Sequence, residues 1–174
     1  MAEYLYNEYP KTRNKGKWLV LGTIIILVIG SNKYVQFNKS MQPGLKAIQF
    51  LYDESKFEYE YEGEKVLNAS GLLEFKNYSN TSRSFYVKYI PDNQFSNQFS
   101  AKELIGYERG TESPKIIRVE PKSTSKMQVE FNKSMVVSDG DKGSRGRGSR
   151  SIETVIIYND QEQVKFTGDN FMGK

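Results

Sequence analysis

Phe57-Glu-Tyr-Glu-Tyr-Glu62 alternates aromatic and acidic side chains without a break. Successive side chains of a strand point to opposite faces. The spacing therefore puts Phe57, Tyr59 and Tyr61 on one face and Glu58, Glu60 and Glu62 on the other. It predicts a half-buried strand whose carboxylates line a solvated edge.

Working outward, Gly63-Glu-Lys65 is a turn, and Val66 to Lys76 returns with Leu73 and Phe75 inward and Glu74 and Lys76 outward. Asn77 to Ser82 is a polar loop. Ser84 to Ile90 is a further strand, ended by Pro91-Asp92. Asp92 to Gln98 reads as loop, and Ser100-Ala-Lys-Glu103 as a capping box opening one or two helical turns. Lys115 to Glu120 and Lys126 to Phe131 are strands, the latter with Met127, Val129 and Phe131 inward. Ile152 to Tyr158 and Gln161 to Thr167 form a hairpin around Asn159-Asp160. Ile152, Val155, Ile156 and Ile157 predict a central strand buried on both faces. On the N-terminal side, Leu45, Ile48, Leu51 and Tyr52 fall at helical spacing, with a strand as the alternative. About seven short strands separated by turns predict a mainly β fold, a β-sandwich.

Composition agrees. Tyr (12) and Phe (10) raise the aromatic share to 13%, and aromatics suit a pleated, half-buried surface. There is no Cys and no His, which excludes disulfides and thiolate or imidazole metal sites. Net charge is only +4, with Lys and Arg interleaved among Glu. No nucleic-acid footprint is expected. Five Asn-X-Ser/Thr sequons begin at Asn38, Asn68, Asn77, Asn80 and Asn132; an Asn- and Ser-rich chain produces such matches by chance.

Trp18-Leu-Val-Leu-Gly-Thr-Ile-Ile-Ile-Leu-Val-Ile-Gly30 carries no charge. As a helix it spans about 20 Å, against the roughly 30 Å of a bilayer core. Extension to Phe37 supplies the missing length, with Trp18 and Tyr34 as interface anchors and Lys33 able to snorkel. Lys11, Arg13, Lys15 and Lys17 precede the run, while Lys33, Lys39 and Lys46 follow it. This bias predicts a cytoplasmic N-terminus and an extracytoplasmic C-terminal part. A cleaved signal peptide, cut after Val28-Ile-Gly30, is the rival reading and gives a secreted protein. The expected organisation is a cytoplasmic tail (1–17), a transmembrane anchor helix (18–37), a linker with a short helix (38–56) and an extracytoplasmic β-sandwich (57–174).

Ala69-Ser-Gly-Leu-Leu-Glu-Phe-Lys-Asn-Tyr-Ser79 runs from a strand into a Lys-Asn-x-Ser loop. Ile117-Arg-Val-Glu-Pro-Lys-Ser-Thr-Ser-Lys-Met-Gln-Val-Glu-Phe131 is a Pro-centred polar turn feeding an alternating strand. Together, over roughly residues 66–166, these resemble immunoglobulin-like β-sandwich domains of Gram-positive membrane-anchored proteins. The resemblance implies a binding or spacer role outside the membrane and carries over no catalytic residue.

Enzyme chemistry finds little to build on. Without His or Cys, nucleophilic catalysis is left with Ser–Lys or carboxylate arrangements, and no Ser-x-x-Lys opens a helix. Glu58, Glu60 and Glu62 form a row on one strand face, not a facing acid pair. Asp139-Gly-Asp141 stops two ligands into a calcium-type loop. Ser138 to Arg150 contains no apolar residue and predicts an exposed mobile loop. Its Lys142, Arg145, Arg147 and Arg150 are candidates for binding an anionic surface polymer or phospholipid head groups. The expectation is a non-enzyme without cofactor: a single-pass extracytoplasmic module with protein partners, an accessory subunit of a cell-envelope assembly.

Overall fold

The computed structural model describes residues 10–99, 101–131, 135 and 145–168. Two compact units divide the chain, residues 1–38 and 39–174. The first is helix α1 (Pro10–Met41), which runs on into the start of the second. Residues 10–17, expected as a tail, are thus helical, as are 38–41, expected as the start of the linker. Within α1, Val20–Met41 is long and apolar enough to cross a membrane, and none of that stretch is buried in protein. Its 22 residues span about 33 Å at 1.5 Å each. The apolar run alone would fall short; the extra length comes from Tyr34, Val35, Phe37 and Met41, all exposed on α1.

The second unit is β-rich. After a 3-10 turn (Gly44–Ala47) come β1 (Ile48–Phe50), β2 (Lys56–Glu62), β3 (Lys65–Asn77) and β4 (Arg83–Ile90). A short helix α2 (Asn93–Gln98) follows, then β5 (Leu104–Ile105), β6 (Ile117–Val119), β7 (Thr124–Glu130), β8 (Arg145–Ser151), β9 (Thr154–Tyr158) and β10 (Gln163–Thr167). The expected short helix near Leu45 is a 3-10 turn and a strand. Leu45, Ala47, Ile48 and Phe50 are all buried, so the β unit begins before Phe57.

Among the described residues ten strands form two sheets, β1-β3-β2-β8 with β7 on β3, and β10-β9-β4-β5 with β6 on β4. All pairings are antiparallel. Residues 70–72 of β3 pair with β2 and β7 at once, so these two flank β3 on opposite sides. The same holds for β1 and β7 at residues 75–76. Strands β1 and β2 therefore follow each other along one side of β3, as a single strand interrupted at 51–55. The two-residue turn Gly63-Glu64 joins β2 to β3, with Gly63 at φ 57°, where a side chain would be strained. A bulge shifts the register between Glu60 and Tyr61, leaving Leu67 of β3 without a partner.

The core takes Phe57, Leu73, Phe75 and Val129 from one sheet and Phe85, Val87, Tyr89, Val155 and Ile157 from the other. Ring contacts tie the sheets together: Phe57 lies 5.0 Å from Tyr89 and Phe75 lies 5.1 Å from Phe85 between centroids. Strand β9 is central in its sheet, yet only Val155 and Ile157 are buried, while Thr154, Ile156 and Tyr158 are half-buried on the other face. The expectation of burial on both faces is corrected: no layer covers the outer face of β9 among the described residues.

Asn77, fully buried, closes the β3–β4 connection. Its Nδ2 donates to the carbonyls of Thr81 (2.8 Å) and Val119 (3.1 Å). Its Oδ1 accepts from the Ser79 amide (2.9 Å) and hydroxyl (2.8 Å). The Asn77 amide donates to Ser123 O and the Lys122 amide to Ser79 O. The Lys-Asn-x-Ser loop and the Pro-centred turn are thus one hydrogen-bonded unit. With both side-chain ends used and buried, Asn77 is no glycan acceptor in the folded chain.

Candidate interaction site at the β8 edge

Strand β8 stands where a mobile loop is expected. Its sequence Arg145-Gly-Arg-Gly-Ser-Arg-Ser151 has no apolar residue, but it has period two: Arg145, Arg147, Ser149 and Ser151 are exposed, while Gly146, Gly148 and Arg150 are half-buried. The pairing with β2 runs without a break from Lys56↔Ser151 to Glu62↔Arg145. Tyr61 faces Gly146 and Tyr59 faces Gly148. A Cβ on Gly146 would lie 2.5 Å from Tyr61 Cε1, and one on Gly148 would lie 2.6 Å from the Tyr59 hydroxyl. The tyrosine rings of β2 therefore lie across β8 and cover its glycines, an aromatic–glycine pairing that offsets the glycines' poor strand propensity. Apolar cover comes from the neighbouring strand, which is why period-two hydrophobicity cannot be read in β8.

On the outward face the carboxylate row meets the guanidinium row. Glu60 and Glu62 are the Cα partners of Arg147 and Arg145. Arg145 donates to Glu60 at 3.0 Å, and this hydrogen bond, with the charges of Glu60 and Glu62, raises its pKa further. Glu58 pairs with Lys56 at 2.5 Å. The three carboxylates thus sit on an interior strand, flanked by β3 and β8 and matched by cations, and not on a sheet edge. They do not converge on a common point. Among the described residues no group of acids is placed to hold a metal ion.

Arg150 faces the other way. Its Nη1 donates to Asp92 Oδ2 at 2.6 Å, and its guanidinium lies 5.5 Å from the Phe95 ring centroid. Burial pulls its pKa down, but hydrogen bonding to Tyr59 and the charge of Asp92 outweigh this and the net shift is upward. Asp92 also caps α2, its Oδ1 accepting from the Phe95 amide at 2.8 Å. One carboxylate thus starts the helix and latches β8 to it. The helix supplies Phe95 and its C-cap is Phe99, both fully buried, which close on Tyr59 (5.0 and 5.2 Å) and on Tyr61 through Phe99 (5.3 Å).

Helix α2 stands where Asp92 to Gln98 reads as a loop in the sequence. The available signal was Asp92 as N-cap with Phe95 and Phe99 four apart. Of the helix expected to open at Ser100–Glu103, Ser100 lies outside the described residues; Ala101–Glu103 is not helical and Leu104–Ile105 forms β5. Of the candidate cations, Arg145, Arg147 and Arg150 come together on β8, pointing to two faces, while Lys142 lies outside the described residues, as do Asp139 and Asp141. Trp18 and Tyr34 both lie on α1, and Tyr34 is exposed. A cleft of about 460 Å³ opens beside the C-terminal end of β8. Its ionisable lining balances Asp53 and Glu153 against Lys56 and Arg150, so it offers no excess of positive charge to an anion.

Comparison with protein families, with curated proteins and with solved structures finds no match for this chain.

Proposed function

We propose that this chain is a single-pass, membrane-anchored extracytoplasmic interaction module, an accessory subunit of a bacterial cell-envelope assembly. The observation that carries the reading is the surface of α1. Val20, Leu21, Ile24 to Ile29, Val35 and Phe37 are each about half or more exposed on a continuous helix. Such a helix is stable where lipid replaces water. Val28, Ile29 and Gly30 lie in mid-helix, with the Ser31 hydroxyl bonded to Val28 O at 2.9 Å. The 22-residue length of the apolar span, longer than the roughly 7–15 residues of a signal-peptide apolar core, favours a retained anchor over a cleaved signal.

The immunoglobulin-like assignment draws support from strand order. In that fold one sheet runs G-F-C-C′ and the other contains A-B-E. Here β10-β9-β4-β5 faces β1-β3-β7, with β1 and β2 as a split strand A and β8 as an insertion after strand E. The internal pairing of Arg145 and Arg150 with acids weighs against an anionic-polymer site and in favour of protein partners.

Protease added to intact cells stripped of their wall should digest residues beyond the span and spare 1–17. Digestion of 1–17 alone would refute the orientation. Cross-linking in isolated membranes, followed by affinity recovery of the tagged chain, should yield defined protein partners. Recovery of the chain by itself would refute the interaction role.

A further inference from the structure

We propose that the face of α1 running through Lys33 and Gln36 packs, within the membrane, against a transmembrane helix of a partner protein that carries a carboxylate at the depth of Lys33. This rests on the membrane-anchor reading and deepens it by placing the partner contact in the span itself. The uncharged run Trp18–Gly30 covers about 20 Å, and a bilayer core needs roughly 30 Å. Extension toward the N-terminus meets Lys17, Lys15 and Arg13; extension toward Phe37 meets only Lys33 and Gln36. The second costs less, and it sets Lys33 about 6 Å inside the hydrocarbon. Both side chains are exposed on α1. Among the described residues neither has a hydrogen bond or an ion pair, whereas the Ser31 hydroxyl is satisfied within the helix by Val28 O at 2.9 Å.

A charge and an amide turned to lipid are costly, so this face requires cover. Snorkelling runs against the side chain's own direction. Helical side chains lean toward the N-terminus, which aims Lys33 at the bilayer centre and away from the nearer head groups. By the same lean Gln36 lies over the turn that carries Lys33, so ammonium and amide share one patch. Gly22, Ile26, Ile29, Lys33 and Gln36 recur at alternating steps of four and three, the spacing of a single helix–helix seam. At Gly22 no atom lies within 4 Å of where a Cβ would be, which leaves room for a neighbouring backbone to approach closely. A second copy packed in parallel along this seam would oppose Lys33 with Lys33, which disfavours self-association. The charge selects the occupant: an apolar helix with one Asp or Glu, which pairs with Lys33 and accepts from the Gln36 amide.

The test uses the full chain, labelled with a donor dye at its N-terminus, in phosphatidylcholine vesicles. The probe is a synthetic acceptor-labelled helix of leucine and alanine flanked by tryptophans, long enough to span, with one Glu near its C-terminal end at the depth of Lys33. Companion helices carry Gln or Leu in place of the Glu. Energy transfer should show the Glu helix associating about threefold or more strongly than the Leu helix, the size of one interhelical polar contact in a membrane, with the Gln helix between them. K33M should abolish that preference, while V35M, off the seam, should keep it. Both variants replace exposed residues with a good helix former. Equal association of the Glu and Leu helices, an unchanged preference in K33M, or loss of the preference when phosphatidylglycerol head groups are added overturns the proposal. Release of the chain from the vesicles by alkaline carbonate refutes the anchor and this site with it; a retained chain without Glu preference refutes this site alone. Glu preference with no protein partner recovered from membranes refutes the module reading, and the proposed partner with it.

Discussion

Strands β4 and β8 are both built on period two, yet they obtain their apolar contacts differently. Strand β4 carries its own, burying Phe85, Val87 and Tyr89 while Tyr86 and Lys88 face outward. Strand β8 carries none: Gly146 and Gly148 are covered by Tyr61 and Tyr59 of β2, and Arg150 is latched by Asp92. The first can be read from its own residues. The second exists only in relation to its neighbours, and its stability is a property of β2 and α2.

That contrast orders the mutational effects, each measured as a shift in urea midpoint of the full chain in micelles. F85A removes a fully buried ring between the sheets and should cost about 3–5 kcal/mol. G148V drives a side chain into Tyr59 and should cost about 1–3 kcal/mol. Unlike F85A, it should be partly rescued in cis by Y59A, with a coupling above about 0.5 kcal/mol. Strict additivity would mean that Tyr59 does not cover Gly148. D92A removes the α2 cap and the Arg150 latch together and should cost about 1–2 kcal/mol. At the small end, R145S breaks an exposed pair and should leave the midpoint unchanged.

Alkali separates the core from the edge. Burial pushes the Tyr52 hydroxyl up to about 12 from 10.0, and burial with the nearby Asp92 raises Tyr89 as well. A raised folded pKa contributes stability that is complete below pH 10 and is lost as pH rises through the folded value. The urea midpoint should thus hold to about pH 10 and then fall toward pH 12. Y89F should flatten part of that fall. An unchanged profile in Y89F would mean that Tyr89 is not titrating from a buried position.

The legible parts of the fold share one property: their burial is encoded by their own side chains. The alternation at Phe57–Glu62, the inward Leu73 and Phe75 and the β9–β10 hairpin all belong to this group. The Asn159 turn also follows its sequence, with Oδ1 accepting from the amides of Gln161 and Glu162, each at 2.9 Å. Illegible parts depend on partners distant in sequence. Leu45 to Tyr52 fits helical spacing as well as it fits β1, and only pairing with Phe75–Asn77 decides it. The two residues of β5 are too few to show a period. For the candidate site, arginines and carboxylates each stand out in the sequence, but their meeting on adjacent strands 85 residues apart has no local signature. Nor has the inward turn of Arg150, since a charged residue at an inward position reads as a break in the pattern.

The register of β8 on β2 is the claim on which the site rests, and a chain with no native cysteine allows it to be measured directly. Glu60 and Arg147 are Cα partners, within the separation a disulfide spans. The double substitution E60C/R147C should close a disulfide under mild oxidation, while E60C/G146C and E60C/G148C, with side chains on opposite faces, should not. Equal cross-linking in all three pairs, or in none, would contradict a fixed β8 strand and return residues 145–151 to a mobile loop.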